Sequence, residues 1–208
     1  MDKNILIIED TFAHLQIIRE LVKGDGINSF PSNGTINTAQ KLTNFLTPVN
    51  HMLAADNGTL RDQKRQQFLK KISVANPISL YIVDFQIFAD KNTYNGIKFC
   101  EHIDDIKNGV TPVILLTKFA DNEPILNNTS ITLLKSSLLK NYPKIRIEIV
   151  RKLQDNGSTW DDGERDDNEN LKIDTIVTNS HNTKITISNY IKVLCGESEN
   201  NQSNNTSE

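Results

Sequence analysis

Cysteine is nearly absent. Cys100 and Cys195 are too few and too scattered for a disulfide framework or a thiolate zinc site. Long apolar runs are missing too. The chain opens MDKNILIIED, so carboxylates arrive after four apolar residues, too short a run for a secretory leader. No later run approaches a membrane span, and a cytoplasmic protein without membrane contact is expected. The Asn-x-Ser/Thr triplets at Asn33, Asn57 and Asn156 then read as by-products of an Asn-rich composition. Charge of one sign is lacking: the formal net charge of -3 gives no general attraction to nucleic acid or anionic lipid. The small basic cluster Arg61, Lys64, Arg65, Lys70 and Lys71 reads as a solvated helix face. No glycine-rich phosphate loop, nucleophile elbow or dinucleotide fingerprint occurs, since Gly24-Asp25-Gly26 lacks the remaining spacing.

What is present is a series of short apolar runs that stop at polar residues. Residues 4–8 end at Glu9-Asp10, residues 80–83 at Asp84, and residues 113–116 at Thr117. Continuous runs of this length suit strands buried on both faces. The run at 145–150 instead alternates apolar and charged residues before Lys152, which predicts a strand at a sheet edge. Residues 27–31 offer a brief further strand. Helical spacing marks 11–22, 38–52, 60–72, 96–107 and 130–141, with Pro48 expected to weaken or kink the second of these. Alternating strands and helices imply right-handed crossovers and a doubly wound parallel α/β sheet.

Beyond this lies an acidic, turn-rich stretch at 155–170, which carries Trp160, either an exposed anchor for a partner or, the preferred reading, a plug on the domain surface. Residues 172–177 and 184–187 suggest a β-hairpin and 189–194 a short helix, while the polar residues 197–208 are expected to be disordered. One domain over 1–196 is expected, with insertions at about 38–76 and 155–187.

Ligands of an open parallel sheet bind outside the carboxyl ends of its strands. Glu9, Asp10, Asp84, Thr117 and Lys152 all stand at such ends. Crowded carboxylates call for a cation, and oxygen ligands that share their ion with phosphate suit Mg²⁺. A hydroxyl and an ammonium beside them suit phosphoryl transfer to a carboxylate. His14, His51, His102 and His181 lack ligand spacing and read as surface or helix-face residues.

The arrangement resembles the receiver domain of bacterial response regulators. The matching pieces are Ile7-Ile8-Glu9-Asp10, Ile82-Val83-Asp84, Asn95-Gly96-Ile97, Leu115-Leu116-Thr117 and Arg151-Lys152, spread over roughly 3–153. The resemblance implies a five-stranded sheet in flavodoxin-like order 2-1-3-4-5. It implies that Glu9, Asp10, Asp84 and the backbone carbonyl of Gln86 hold Mg²⁺, and that Asp84 is the phosphoacceptor. Thr117 and Lys152 would bind the phosphoryl group. A histidine kinase or phosphotransfer protein would supply it, and a downstream protein rather than nucleic acid would read the result. The chain departs from the family in four places: the long stretch before the third strand, Phe85-Gln86-Ile87-Phe88 in place of a Met-Pro pair, Lys118 after Thr117, and Ile149 and Leu153 where an aromatic switch residue and a proline are usual. Lys118 and Ile149 favour a second expectation, a pseudo-receiver that binds a partner without phosphorylation. A metal nuclease that pairs a strand-end Glu with Asp-x-Asp is a third, disfavoured because Gln86 occupies its second acidic position.

Overall fold

The continuous apolar runs become the central strands. A computed structural model describes residues 3–24, 26–32, 34–72, 77–88, 94–119 and 129–152, and the backbone of 176–177 and 184–185. β1 (Lys3–Ile8), β2 (Ile27–Phe30), β3 (Ile78–Asp84), β4 (Val113–Thr117) and β5 (Ile147–Arg151) form one parallel sheet in the order β2-β1-β3-β4-β5. Ile5–Ile8, Leu80–Val83 and Val113–Leu116 are all buried, as strands covered on both faces require. β5 is an edge of this sheet, and its pattern of buried and half-buried residues fits the alternation in its sequence. Ile176–Val177 (β6) pairs antiparallel with Lys184–Ile185 (β7), the two strands of the expected hairpin. The acidic stretch with Trp160, the helix at 189–194 and the polar tail lie outside the described residues.

Strand order reverses direction beside β1. With right-handed crossovers, α1 (Phe12–Leu21) lies on one face, and the helices of the later crossovers lie on the other. Those are α2 (Ala39–Leu53), α3 (Gly58–Ile72), α4 (Asn95–His102), α5 (Asp104–Lys107) and α6 (Ile131–Asn141). Starts are capped as their sequences suggest: the Thr38, Asn57 and Ser130 side chains accept from the amides of Lys41, Leu60 and Leu133.

Pro48 does not stop α2. The amide it lacks would have bonded the carbonyl of Asn44, and Lys71 Nζ from α3 donates to that oxygen instead at 2.8 Å. Rings tie the two helices to the sheet in a file: Phe45 meets Phe68 at 5.9 Å, Phe68 meets Phe99 at 6.2 Å and Phe99 meets Tyr81 at 6.4 Å, between centroids. The basic cluster on α3 is only partly the solvated face expected. Arg65 bonds Asp104 at 3.2 Å and donates to the carbonyl of His102 at 3.3 Å.

One helix was expected over 96–107; two occur. Ile103 is extended (φ -102°, ψ 113°), and α5 restarts with Asp104 and Asp105 in its first turn. Those carboxylates favour a helix N-terminus, and Asp104 is further held by Lys107 at 2.7 Å.

Candidate functional site

Register builds the rim. Ile8 pairs with Val83, so Glu9 and Asp84 leave neighbouring strands side by side. Asp84 pairs with Leu116, and Thr117 with Arg151, which brings Thr117 and Lys152 to the same edge. The amide of Lys152 donates to the Thr117 carbonyl at 2.7 Å and fixes the chain as β5 ends.

At this switch point Glu9, Asp10 and Asp84 each offer a carboxylate oxygen, all within 4.8 Å of one another. The donor set is hard and anionic and can hold a metal ion. Glu9 is 1% exposed and Asp84 8%. The Lys152 ammonium lies between them, 2.7 Å from Glu9 Oε2 and 2.6 Å from Asp84 Oδ1, and is itself buried. The backbone orients the remaining oxygens. The Thr11 amide donates to Glu9 Oε1 at 3.0 Å, Gln86 N to Asp84 Oδ2 at 3.2 Å, and Phe88 N to Asp10 Oδ2 at 2.7 Å. Phe88 has φ 63°, an unusual backbone for a side chain of that bulk, and the turn is held by its bond to Asp10.

Electrostatics splits the carboxylates. Burial disfavours charge on Glu9, but the Lys152 ammonium and the His14 imidazole together outweigh it and hold the group down at about 2. Burial and the neighbouring Glu9 anion together push Asp84 up to about 6 against the pull of Lys152. Burial and Glu9 raise Asp10 as well. Lys152 is driven above its ordinary value: burial opposes the charge, and the Glu9 and Asp84 anions more than offset that. Glu9 is therefore the standing anion of the site, and Asp84 is the group whose ionisation is strained.

Of the residues read from sequence, Glu9, Asp10, Asp84 and Lys152 converge. Thr117 is buried on the same rim, and its Oγ1 accepts from Phe119 N at 3.1 Å. Gln86 reaches the site through its amide. Phe85, directly after Asp84, meets Tyr94 at a tilt at 5.4 Å and Phe119 edge to face at 6.2 Å, between centroids, so aromatic rings follow both β3 and β4. Lys118 is exposed, and Ile149 is buried in β5.

His14 corrects the sequence reading. Of the two roles read for it, surface and helix face, the structure keeps the helix face: His14 lies on α1 but is 7% exposed, with Nδ1 3.3 Å from Lys152 Nζ and 3.8 Å from Glu9 Oε1. The available signal was its position four residues after Asp10, within the first turn of a helix that starts at the rim.

Gly96 completes the wall. Its amide donates to the Phe85 carbonyl at 3.1 Å, and a Cβ there would run into the carbonyl oxygen of Asp84. Gly96→Ala is expected to lower unfolding stability in urea by about 2 kcal/mol, through overpacking against fixed backbone. A midpoint unchanged from wild type would refute this.

Among the described residues, no helix is long and apolar enough to cross a membrane. No protein-family model, curated protein or solved structure matches the chain.

Proposed function

We propose that this chain is a receiver-type switch in which Asp84 accepts a phosphoryl group, assisted by Mg²⁺ at Glu9, Asp10 and Asp84. One observation carries the reading: three carboxylates and a buried ammonium meet at the switch point of a parallel sheet. Hard oxygen donors suit Mg²⁺ better than a softer ion. The bound ion would supply positive charge against the carboxylates and the incoming phosphoryl oxygens.

The remaining steps belong to the chain. An oxygen of ionised Asp84 attacks phosphorus while the bond from phosphorus to the donor imidazole of a histidine kinase or phosphotransfer protein breaks. An acyl phosphate forms, and the departing imidazole keeps the electron pair and takes up a proton. Lys152 stands where its ammonium can move from Asp84 to a phosphoryl oxygen. Thr117 can donate its hydroxyl proton to another while still accepting from Phe119. The backbone carbonyl of Gln86 is a further metal ligand in this reading. Output runs through a protein contact, for which the exposed side of the α2–α3 insertion is one surface among the described residues.

Intact-mass measurement after incubation with Mg²⁺ and acetyl phosphate tests the proposal. Wild type should gain one phosphate, and Asp84→Asn none. An unmodified wild type, or equal modification of the variant, rejects it.

A second reading, a phosphorylation-independent binding module, is favoured by the ion pairs themselves. Lys152 already pairs with both Glu9 and Asp84 without a metal ion, and buried Ile149 offers no aromatic switch. Titration with Mg²⁺ and beryllofluoride separates the two, since such a module gives no coupled response.

A further inference from the structure

We propose that His14 is a positioning residue for Lys152, whose imidazole holds the ammonium in the site when the carboxylates engage a cation. The proposal rests on the reading of Glu9, Asp10 and Asp84 as a divalent-metal site. An ammonium only donates, so in this proposal the His14 Nδ1 that faces Lys152 Nζ at 3.3 Å, nearer than Glu9 Oε1 at 3.8 Å, accepts, which puts the ring proton on Nε2. Two stronger acceptors lie nearer: Glu9 Oε2 at 2.7 Å and Asp84 Oδ1 at 2.6 Å.

Both of those oxygens belong to carboxylates that a divalent ion would also use. Ammonium and cation therefore compete for Glu9 and Asp84. Lys152 is 5% exposed and cannot retreat to water without leaving the fold's interior. A buried ammonium that gives up an acceptor needs another. Of these three acceptors, His14 alone is one whose lone pair a hard cation has little reason to claim in preference to carboxylates. It also rides on α1, a regular helix, while Asp84 leads into a turn. The imidazole thus lets Lys152 yield the carboxylates and remain beside them.

The alternative is that His14 merely fills space between α1 and the sheet. Two variants of the full chain separate the roles. His14→Asn keeps an acceptor close to the Nδ1 position, and His14→Leu keeps volume but removes it. Mg²⁺ alone is titrated by calorimetry, and Asp84 modification by acetyl phosphate is timed by intact mass. The ¹⁵N resonance of the Lys152 ammonium is followed in the Mg²⁺-saturated protein. His14→Leu should bind Mg²⁺ about tenfold more weakly, because the lysine settles on the carboxylates, the loss matching one hydrogen bond to a charged group. Its modification should slow in proportion, and its ammonium signal should broaden. His14→Asn should restore all three to within about threefold. If both variants match wild type, or both fail equally, the positioning role is overturned and packing remains. If wild type binds no Mg²⁺, the metal reading falls and this inference with it, an outcome separate from a silent His14. Should His14→Leu not fold, His14→Met carries the same comparison.

Discussion

Lys152→Met should destabilise the metal-free protein by about 3–5 kcal/mol at pH 7.5, because it strips the counter-charge from buried carboxylates. The Lys152 ammonium lies 2.7 Å from Glu9 and 2.6 Å from Asp84, and with His14 it holds Glu9 at about 2 despite full burial. The sign can be followed with pH. The folded Glu9 value is below its ordinary 4.5, so its contribution is present above 4.5 and is lost as pH falls toward 2. In the lysine variant the largest source of that depression is gone, and the deficit should be greatest at neutral pH and shrink on acidification as the carboxylates take up protons. Thermal unfolding in EDTA should show a drop on the order of 10 °C. Saturating Mg²⁺ should recover part of it by binding the folded state, about 2.7 kcal/mol at a hundredfold excess over the dissociation constant. A variant as stable as wild type at pH 7.5 would show that the ammonium is not the counter-ion of this site.

Asp84→Asn works in the opposite direction. Burial and Glu9 raise Asp84 from 3.8 to about 6. A raised acid favours the folded state in its neutral form. Metal-free wild type therefore loses stability relative to the variant as pH rises from 3.8 to about 6, and stays lower above that. The total is on the order of 3 kcal/mol, at about 1.4 kcal/mol per pH unit. The asparagine should thus be the more stable protein at pH 7.5 in EDTA, with the difference vanishing near pH 4. Mg²⁺ should reverse the ranking, since only wild type brings the full set of carboxylates to the ion. Urea midpoints for both proteins at several pH values, with and without Mg²⁺, give the answer. A wild type more stable than the variant in EDTA at pH 7.5 would refute it.

Such strain is what a nucleophile held ready for a cation would carry, and the sequence exposes it to an unusual degree. Each central strand is a continuous apolar run that stops at a polar residue, so the strand end and the candidate site residue are read together. Glu9, Asp84, Thr117 and Lys152 could be placed on one rim because the carboxyl ends of parallel strands share an edge. Side-chain alternation likewise put β5 at a margin of the sheet. Other features left no mark. The break at Ile103 is invisible because Ile97, Cys100, Ile103 and Ile106 keep a three-residue spacing whether the helix continues or restarts. His14 escaped because a single histidine on a helix has no spacing to betray it, and its value arises only from a lysine far along the chain. The turn at Phe88 follows from a long-range bond to Asp10, which no local propensity encodes.

Pro48 has a wider consequence. A proline in mid-helix leaves a carbonyl that α2 cannot satisfy from its own backbone, and the lysine that answers it comes from the following helix. The two helices are thus a matched pair. A shortened chain without 58–72 would expose the flank of Phe99 and strand Asn44 at once, so the segment behaves as an integral wall of the domain. Domain boundaries drawn for expression, or chimeras with a shorter relative of this fold, should keep both helices or replace both together.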